Sequence, residues 1–191
     1  MARLVSLALT AGLFLTPGTA YAQERSPGSV SRPLSPRNAN YTIDVRLDAQ
    51  AHTLSGHETL VWTNISGAAT RELQFHLYYN AWRNGQSTFM KETRLAGGWR
   101  SQDDLRDDEA AAINVTNMQV TAGAIPPTDL TSLIRFIAPD DGNVDDRTVM
   151  AVSLPAEVQP NQSITLDITW QSTIPRTVFR TGVVGINIVN I

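Results

Sequence analysis

Residues 41 to 48 read "YTIDVRLD", with Tyr41, Ile43, Val45 and Leu47 alternating with Thr42, Asp44 and Arg46. A helix repeats every 3.6 residues and would scatter these apolar side chains around its circumference. A strand sends successive side chains to opposite faces and sorts them in one step. The stretch predicts a strand with one face buried and one wet. Outward from it, "DAQAH" makes a short polar turn, and Leu54, Leu60 and Trp62 mark a second strand that ends at Asn64-Ile65-Ser66-Gly67. These two strands predict a hairpin.

The same period returns downstream. Arg71 to Leu77 places Leu73, Phe75 and Leu77 on one face and Gln74 and His76 on the other. Residues 113–120 ("INVTNMQV"), 132–137 ("SLIRFI"), 147–154 ("RTVMAVSL") and 163–170 ("SITLDITW") continue the pattern. Turns such as "IPPTD" and "PDDGN" separate them, with Pro, Asp, Asn and Gly where tight turns use them. At least seven short strands without a long helical period between them predict an all-β domain, an antiparallel β-sandwich or a saddle-like sheet, over residues 40–185. Residues 84–112 do not fit the period, and "SQDDLRDDEAAA" reads as a short acidic helix or a loop.

The flanks differ in kind. Arg3, the apolar run Leu4 to Leu15, the break at Pro17-Gly18 and the small residues Ala20-Tyr21-Ala22 make residues 1–22 a secretory signal peptide. Its apolar run is shorter than the roughly 20 residues that span a bilayer, so no membrane span is expected once it is removed. Export to the periplasm or beyond follows. Residues 23–39 are rich in Ser, Pro and Arg and bury too little apolar area to offset ordering, which predicts a linker. The formal net charge is −3, and no basic stripe suggests nucleic acid. The chain has no cysteine, which excludes disulfides and thiolate metal sites.

Candidate chemistry can be weighed residue by residue. His57-Glu58 opens the zinc-peptidase pattern His-Glu-x-x-His, but the second histidine position holds Val61 and the segment reads as a strand rather than the required helix. Asp141, Asn143 and Asp145 alternate like calcium ligands, yet a calcium loop wants Gly and Glu where this chain has Asp146 and Val152. A polar turn is the simpler reading. Asp103, Asp104, Asp107, Asp108 and Glu109 read as a solvated face. His52, His57 and His76 lie on separate strands or turns; His52 and His57 approach across the first hairpin at most, without a third ligand. No catalytic, cofactor-binding or metal-binding residue is therefore assigned, and Leu77 to Asn80 in "ELQFHLYYNAW" read as wall rather than site.

"YTIDVRLDAQAHTLSGHETLVWTNIS", "ELQFHLYYNAW", "STFMKE" and "PDDGNVDDRTVMAVSLPAEVQPNQSITLDITWQSTIPRTVFRTG" together resemble the N-terminal domain of the membrane alanyl aminopeptidase family of zinc metallopeptidases, which includes leukotriene hydrolases. The resemblance covers about residues 40–184. It implies that Leu77, Tyr78 and Asn80, matching the family's Leu-Tyr-x-Asn pattern, belong to a saddle-like sheet that precedes a catalytic domain. The family's zinc ligands and its Gly-x-Met-Glu-Asn segment are not in this chain, so no cofactor is expected here. The partner implied is the catalytic domain itself. Residues 186–191, "INIVNI", diverge after Arg180-Thr181-Gly182 and read as an apolar strand with no turn or closing feature. The expected function is the exported, non-catalytic N-terminal domain of such a peptidase, in a truncated or frameshifted chain. The alternative is a free-standing secreted β-sandwich that binds a protein or glycan on exposed aromatics such as Trp82 and Trp99. Translation of the DNA downstream of the Ile191 codon is expected to show His-Glu-x-x-His within about 200 codons, the scale of one further domain; an unrelated gene there would favour the free-standing module.

Overall fold

The computed structural model describes residues 36–96, 110–176, 181–184 and 187–190. The segments expected to be a signal peptide (1–22) and, for the most part, a linker (23–39), together with Trp99 and the acidic run 103–109, lie outside these described residues. Among the described residues, ten strands and one α-helix follow in chain order: β1 (Ala39–Asp48), β2 (Thr53–Thr63), β3 (Thr70–His76), α1 (Thr88–Leu95), β4 (Ala112–Gly123), β5 (Thr128–Asp129), β6 (Ile134–Ile137), β7 (Val149–Val158), β8 (Ser163–Thr173), β9 (Thr181–Val184) and β10 (Asn187–Asn190). All their pairings are antiparallel. A five-stranded sheet runs β1-β2-β8-β4-β5, a three-stranded sheet runs β3-β7-β6, and β9 pairs with β10. The seven predicted strands are all present. β6 is shorter than predicted, because Thr131–Leu133 form a 3-10 turn before it.

Register explains the core. Leu60 faces Leu166 across β2 and β8, and Leu166 faces Val120 across β8 and β4, so these three share one side of the larger sheet. Directly opposed side chains lie on the same face of a sheet. Ile164, Ile168 and Met118 extend that side. Leu73, Met150, Val152 and Leu154 of the smaller sheet join them in a single buried cluster. This is a β-sandwich, with β8 at the centre of its larger layer.

The prediction for β1 needs correction. Tyr41 is registered with Leu60, so the apolar side of β1 does belong to the core face. Yet Tyr41, Ile43, Val45 and Leu47 are 53%, 51%, 53% and 48% exposed, whereas Leu60 is 2% exposed. The smaller sheet has three strands against five, and its cover ends before the outermost strand. Amphipathic alternation names the apolar face of a strand but not whether a partner layer reaches it. The C-terminal expectation also changes. Residues 187–190 are not a lone strand, because Asn187–Asn190 pair with Thr181–Val184.

Gly56, buried on β2, faces Trp170 across β8. A Cβ at this position would lie 2.1 Å from two carbons of the Trp170 indole, far inside van der Waals contact. Glycine within a strand commonly marks such a close approach. Gly56→Ala is therefore expected to destabilise the chain by about 1–3 kcal/mol through overpacking, read from urea or thermal unfolding. Wild-type stability in that variant would show that Trp170 swings clear.

Candidate functional site

The aromatic stretch after β3 turns out of the sheet at Leu77, whose N–H donates to Thr148 O at 2.7 Å. Tyr78–Trp82 then form a short 3-10 helix. Asn80 is fully buried. Its Nδ2 donates to Arg147 O and its Oδ1 accepts from Ile113 N, each at 2.9 Å, so one amide ties the exit of β3 to the entries of β7 and β4. Trp82, 8% exposed, anchors a second small core with Ala81, Met90 and Ala111, edge-on to Tyr79 and Phe89. These residues are structural, and burial removes Trp82 as a flat binding platform.

Residues 84–112 contain a helix that composition did not suggest, α1, placed before the acidic run. Ser87 caps it: its Oγ accepts from Met90 N at 3.2 Å and donates to Ala81 O. Serine three positions before the N–H it caps is a readable start signal. The other contacts of this end come from far along the chain. Thr88 N donates to Asp146 Oδ2 at 2.9 Å, Thr88 Oγ1 donates to Asp141 Oδ2 at 2.7 Å, and Lys91 Nζ donates to Asn143 Oδ1 at 2.8 Å.

The calcium-like loop thus turns its oxygens to the start of α1 and to its own backbone. Asp141 Oδ1 accepts from Asn143 N at 2.9 Å, and Asp146 Oδ1 accepts from Thr148 N at 2.8 Å. Hydrogen bonds from Asn143 N and Thr88 hold the Asp141 carboxyl below the usual aspartate value. For Asp146, burial pushes upward, but the Thr148 and Thr88 hydrogen bonds outweigh it and leave the carboxyl low. Between this loop, α1 and the end of β3 lies a shallow pocket of about 180 Å³, lined by His76, Tyr78, Phe89, Asp140, Asp141 and Asp146 among others. It gathers the histidine and the acidic loop singled out in the sequence. Asp141 and Asp146 are already engaged as acceptors of hydrogen bonds from Thr88, Asn143 and Thr148.

The remaining candidates are separated by the sheet itself. His57 lies on the polar face of the larger sheet, registered with Asp44 and Thr169, and its Nε2 sits 2.7 Å from Asp167 Oδ2. Glu58, the next residue, is on the opposite face, registered with Ile43 and Ile168. The two cannot converge on one ion, so this His-Glu pair does not fit the zinc that the resemblance associates with such a motif. His52 occupies the turn before β2 with a positive φ of 54°, and its carbonyl accepts from Ile174 N at 2.8 Å. Among the described residues no group of three or more His, Asp or Glu side chains could hold a metal ion. No described helix is long and apolar enough to cross a membrane.

A different surface stands out, one that motif reading missed. The uncovered end of the core face carries Tyr41, Ile43, Val45 and Leu47, bordered by Leu54 and Trp170, with Glu58 among them. Burial pushes the Glu58 carboxyl up, while the Trp170 indole and His57 pull it back. Tyr41 is also raised, first by burial and then by Glu58. The arrangement is a half-exposed apolar strip with one carboxylate, Glu58, among it.

Asn80→Ala should cost about 2 kcal/mol, because it leaves Arg147 O and Ile113 N without their partner. Asp146→Asn should destabilise the chain at neutral pH. The folded-state carboxyl lies below its ordinary value of 3.8. Its stabilising contribution is therefore present above that value and lost as pH falls through the lower folded one. The gap between wild type and Asp146→Asn should close in acid, as followed by unfolding midpoints from pH 7 downward; a gap independent of pH would contradict this.

No protein-family profile matches the sequence, and no curated protein matches it. Among solved structures, the chain is similar to a CBM3a-L domain with flanking linkers from the cellulosome scaffoldin of Clostridium thermocellum, at 9% identity and a TM-score of 0.33, covering 80% of this chain and 81% of that one. It is also similar to a family 3a carbohydrate-binding module from the same organism's scaffoldin, at 9% identity and a TM-score of 0.30, covering 79% of this chain and 90% of the other. Likeness this loose supplies no residue correspondence.

Proposed function

We propose that this chain is a non-catalytic, exported β domain that acts by covering another folded domain, in the manner of the N-terminal domain of an aminopeptidase-like zinc peptidase. The observation that carries the proposal is the uncovered stripe Tyr41, Ile43, Val45 and Leu47, whose members are each about half exposed on the face that elsewhere forms the core. Soluble proteins rarely leave a contiguous apolar strip of this kind without a use for it. In this reading the stripe seals against the neighbouring domain, and Glu58 accepts a hydrogen bond or charge from that surface as it becomes fully buried. The zinc and its ligands belong to the covered domain. This chain closes one side of the cleft and helps set where the substrate's amino end lies, as the resemblance implies.

A second reading, a free-standing module that binds a protein or glycan, draws on Tyr78, which is 62% exposed beside the pocket. One experiment separates the two. The purified chain is mixed with a zinc aminopeptidase catalytic domain that lacks its own N-terminal domain, and in parallel with insoluble polysaccharide. The first reading expects a one-to-one complex, weakened at least about tenfold by Ile43→Ser, with only about 1 kcal/mol lost from the stability of the free variant because Ile43 is half exposed. The isolated chain is expected neither to hydrolyse aminoacyl anilides nor to retain stoichiometric zinc. Polysaccharide retention abolished by Tyr78→Ala, with no complex formed, would overturn the covering role in favour of the second reading.

A further inference from the structure

The edge of β1 is distinct from its face. β1 is ten residues long, ends the larger sheet, and pairs with β2 without a register shift. The opposite boundary is different: β4 has two register shifts against β8 and is followed only by the two-residue β5. Proteins usually blunt an exposed edge with bulges, proline or lysine. β1 has none of the three.

The outward backbone groups can be identified. Thr63 N donates to Asn38 O at 2.8 Å across the register that continues into β1 and β2. In an antiparallel pair, residues facing the partner as hydrogen-bonded pairs alternate with those facing away. Asn40, Thr42, Asp44 and Arg46 therefore direct their N–H and C=O groups to β2. Those of Tyr41, Ile43, Val45 and Leu47 point outward, where among the described residues no strand lies.

We infer that this edge pairs with the same edge of a second copy of the chain, antiparallel about a two-fold axis at Val45. The register is self-complementary. Val45 meets Val45 of the second copy, and Ile43 meets Leu47, all as hydrogen-bonded pairs made by outward groups. Asp44 meets Arg46 on the polar face, twice, at the non-hydrogen-bonded positions where side chains stand closest. Moving the axis by one residue places Asp44 on Asp44 or Arg46 on Arg46, which like-charge repulsion disfavours. The contact is isologous and closes as a dimer rather than growing into a fibre. It joins two five-stranded sheets edge to edge, in the plane of the sheet, and leaves the apolar face pointing out of that plane. The pairing is thus independent of the covering role.

The test is the oligomeric state of the full chain by sedimentation equilibrium. A reversible dimer is expected. Asp44→Arg should weaken it about tenfold by turning two attractive pairs repulsive, and the swap Asp44→Arg with Arg46→Asp should restore it. Recovery in the double variant separates loss of charge complementarity from misfolding. Because the chain has no cysteine, Val45→Cys introduces a single thiol whose counterpart lies about 5.5 Å away between Cα atoms, within disulfide reach. It should oxidise to a covalent dimer, while Thr116→Cys on β4 should not. A chain that stays monomeric at its highest soluble concentration, or a dimer indifferent to Asp44→Arg, overturns the proposal.

Discussion

Strand β8 is hydrogen-bonded on both sides, to β2 and to β4, and the rest of the domain depends on that position. Its Ile164, Leu166 and Ile168 are almost completely buried and form the floor on which the smaller sheet rests. Each strand away from β8 lies further from the middle of that cover. The smaller sheet has only three strands, one of four residues, so apolar cover runs out before β1. The exposed stripe follows from this difference in width, and the open edge from β1 being the last strand of the larger sheet.

Polar side chains secure the other end of the domain. Asn80 joins three segments through one amide, and Asn64, also buried, donates to Ala68 O and Val158 O. Asp141, Asn143 and Asp146 fasten the start of α1 to the loop before β7. A buried amide in such a place is costly unless its nitrogen and oxygen both find partners, and those of Asn64 and Asn80 do. The residues that looked most like ligands or catalysts are therefore the ones that hold irregular chain segments in place.

The contrast between the two ends bears on function. Around Trp82 and Asn80, aromatic side chains pack against one another and the Asn80 amide is hydrogen-bonded on both sides. Around β1, the apolar side chains stay about half exposed, and no strand among the described residues meets the outward backbone groups. In the covering role proposed above, this half-exposed apolar strip is where the neighbouring protein surface would sit. His57 with Asp167 on the polar face does not alter this balance, since adjacent Glu58 lies on the other side of the sheet.

Local alternation in the sequence was sufficient to place β1, β2, β3, β4, β7 and β8, because period two is a property of the chain itself. It was also sufficient to set aside the His-Glu pattern, whose second histidine position holds Val61 and which needs a helix where the alternation gives a strand. The start of α1 at Ser87 was readable from capping chemistry and was overlooked in favour of the acidic run. The sequence could not show that Asp146 meets Thr88, 58 positions away, or that Trp170 lies over Gly56. Nor could it show that Tyr41, Ile43, Val45 and Leu47 remain in water. Which face of a strand is apolar is written along one segment, whereas whether that face is covered depends on how many strands the opposing layer brings to it, and only the assembled sandwich decides that.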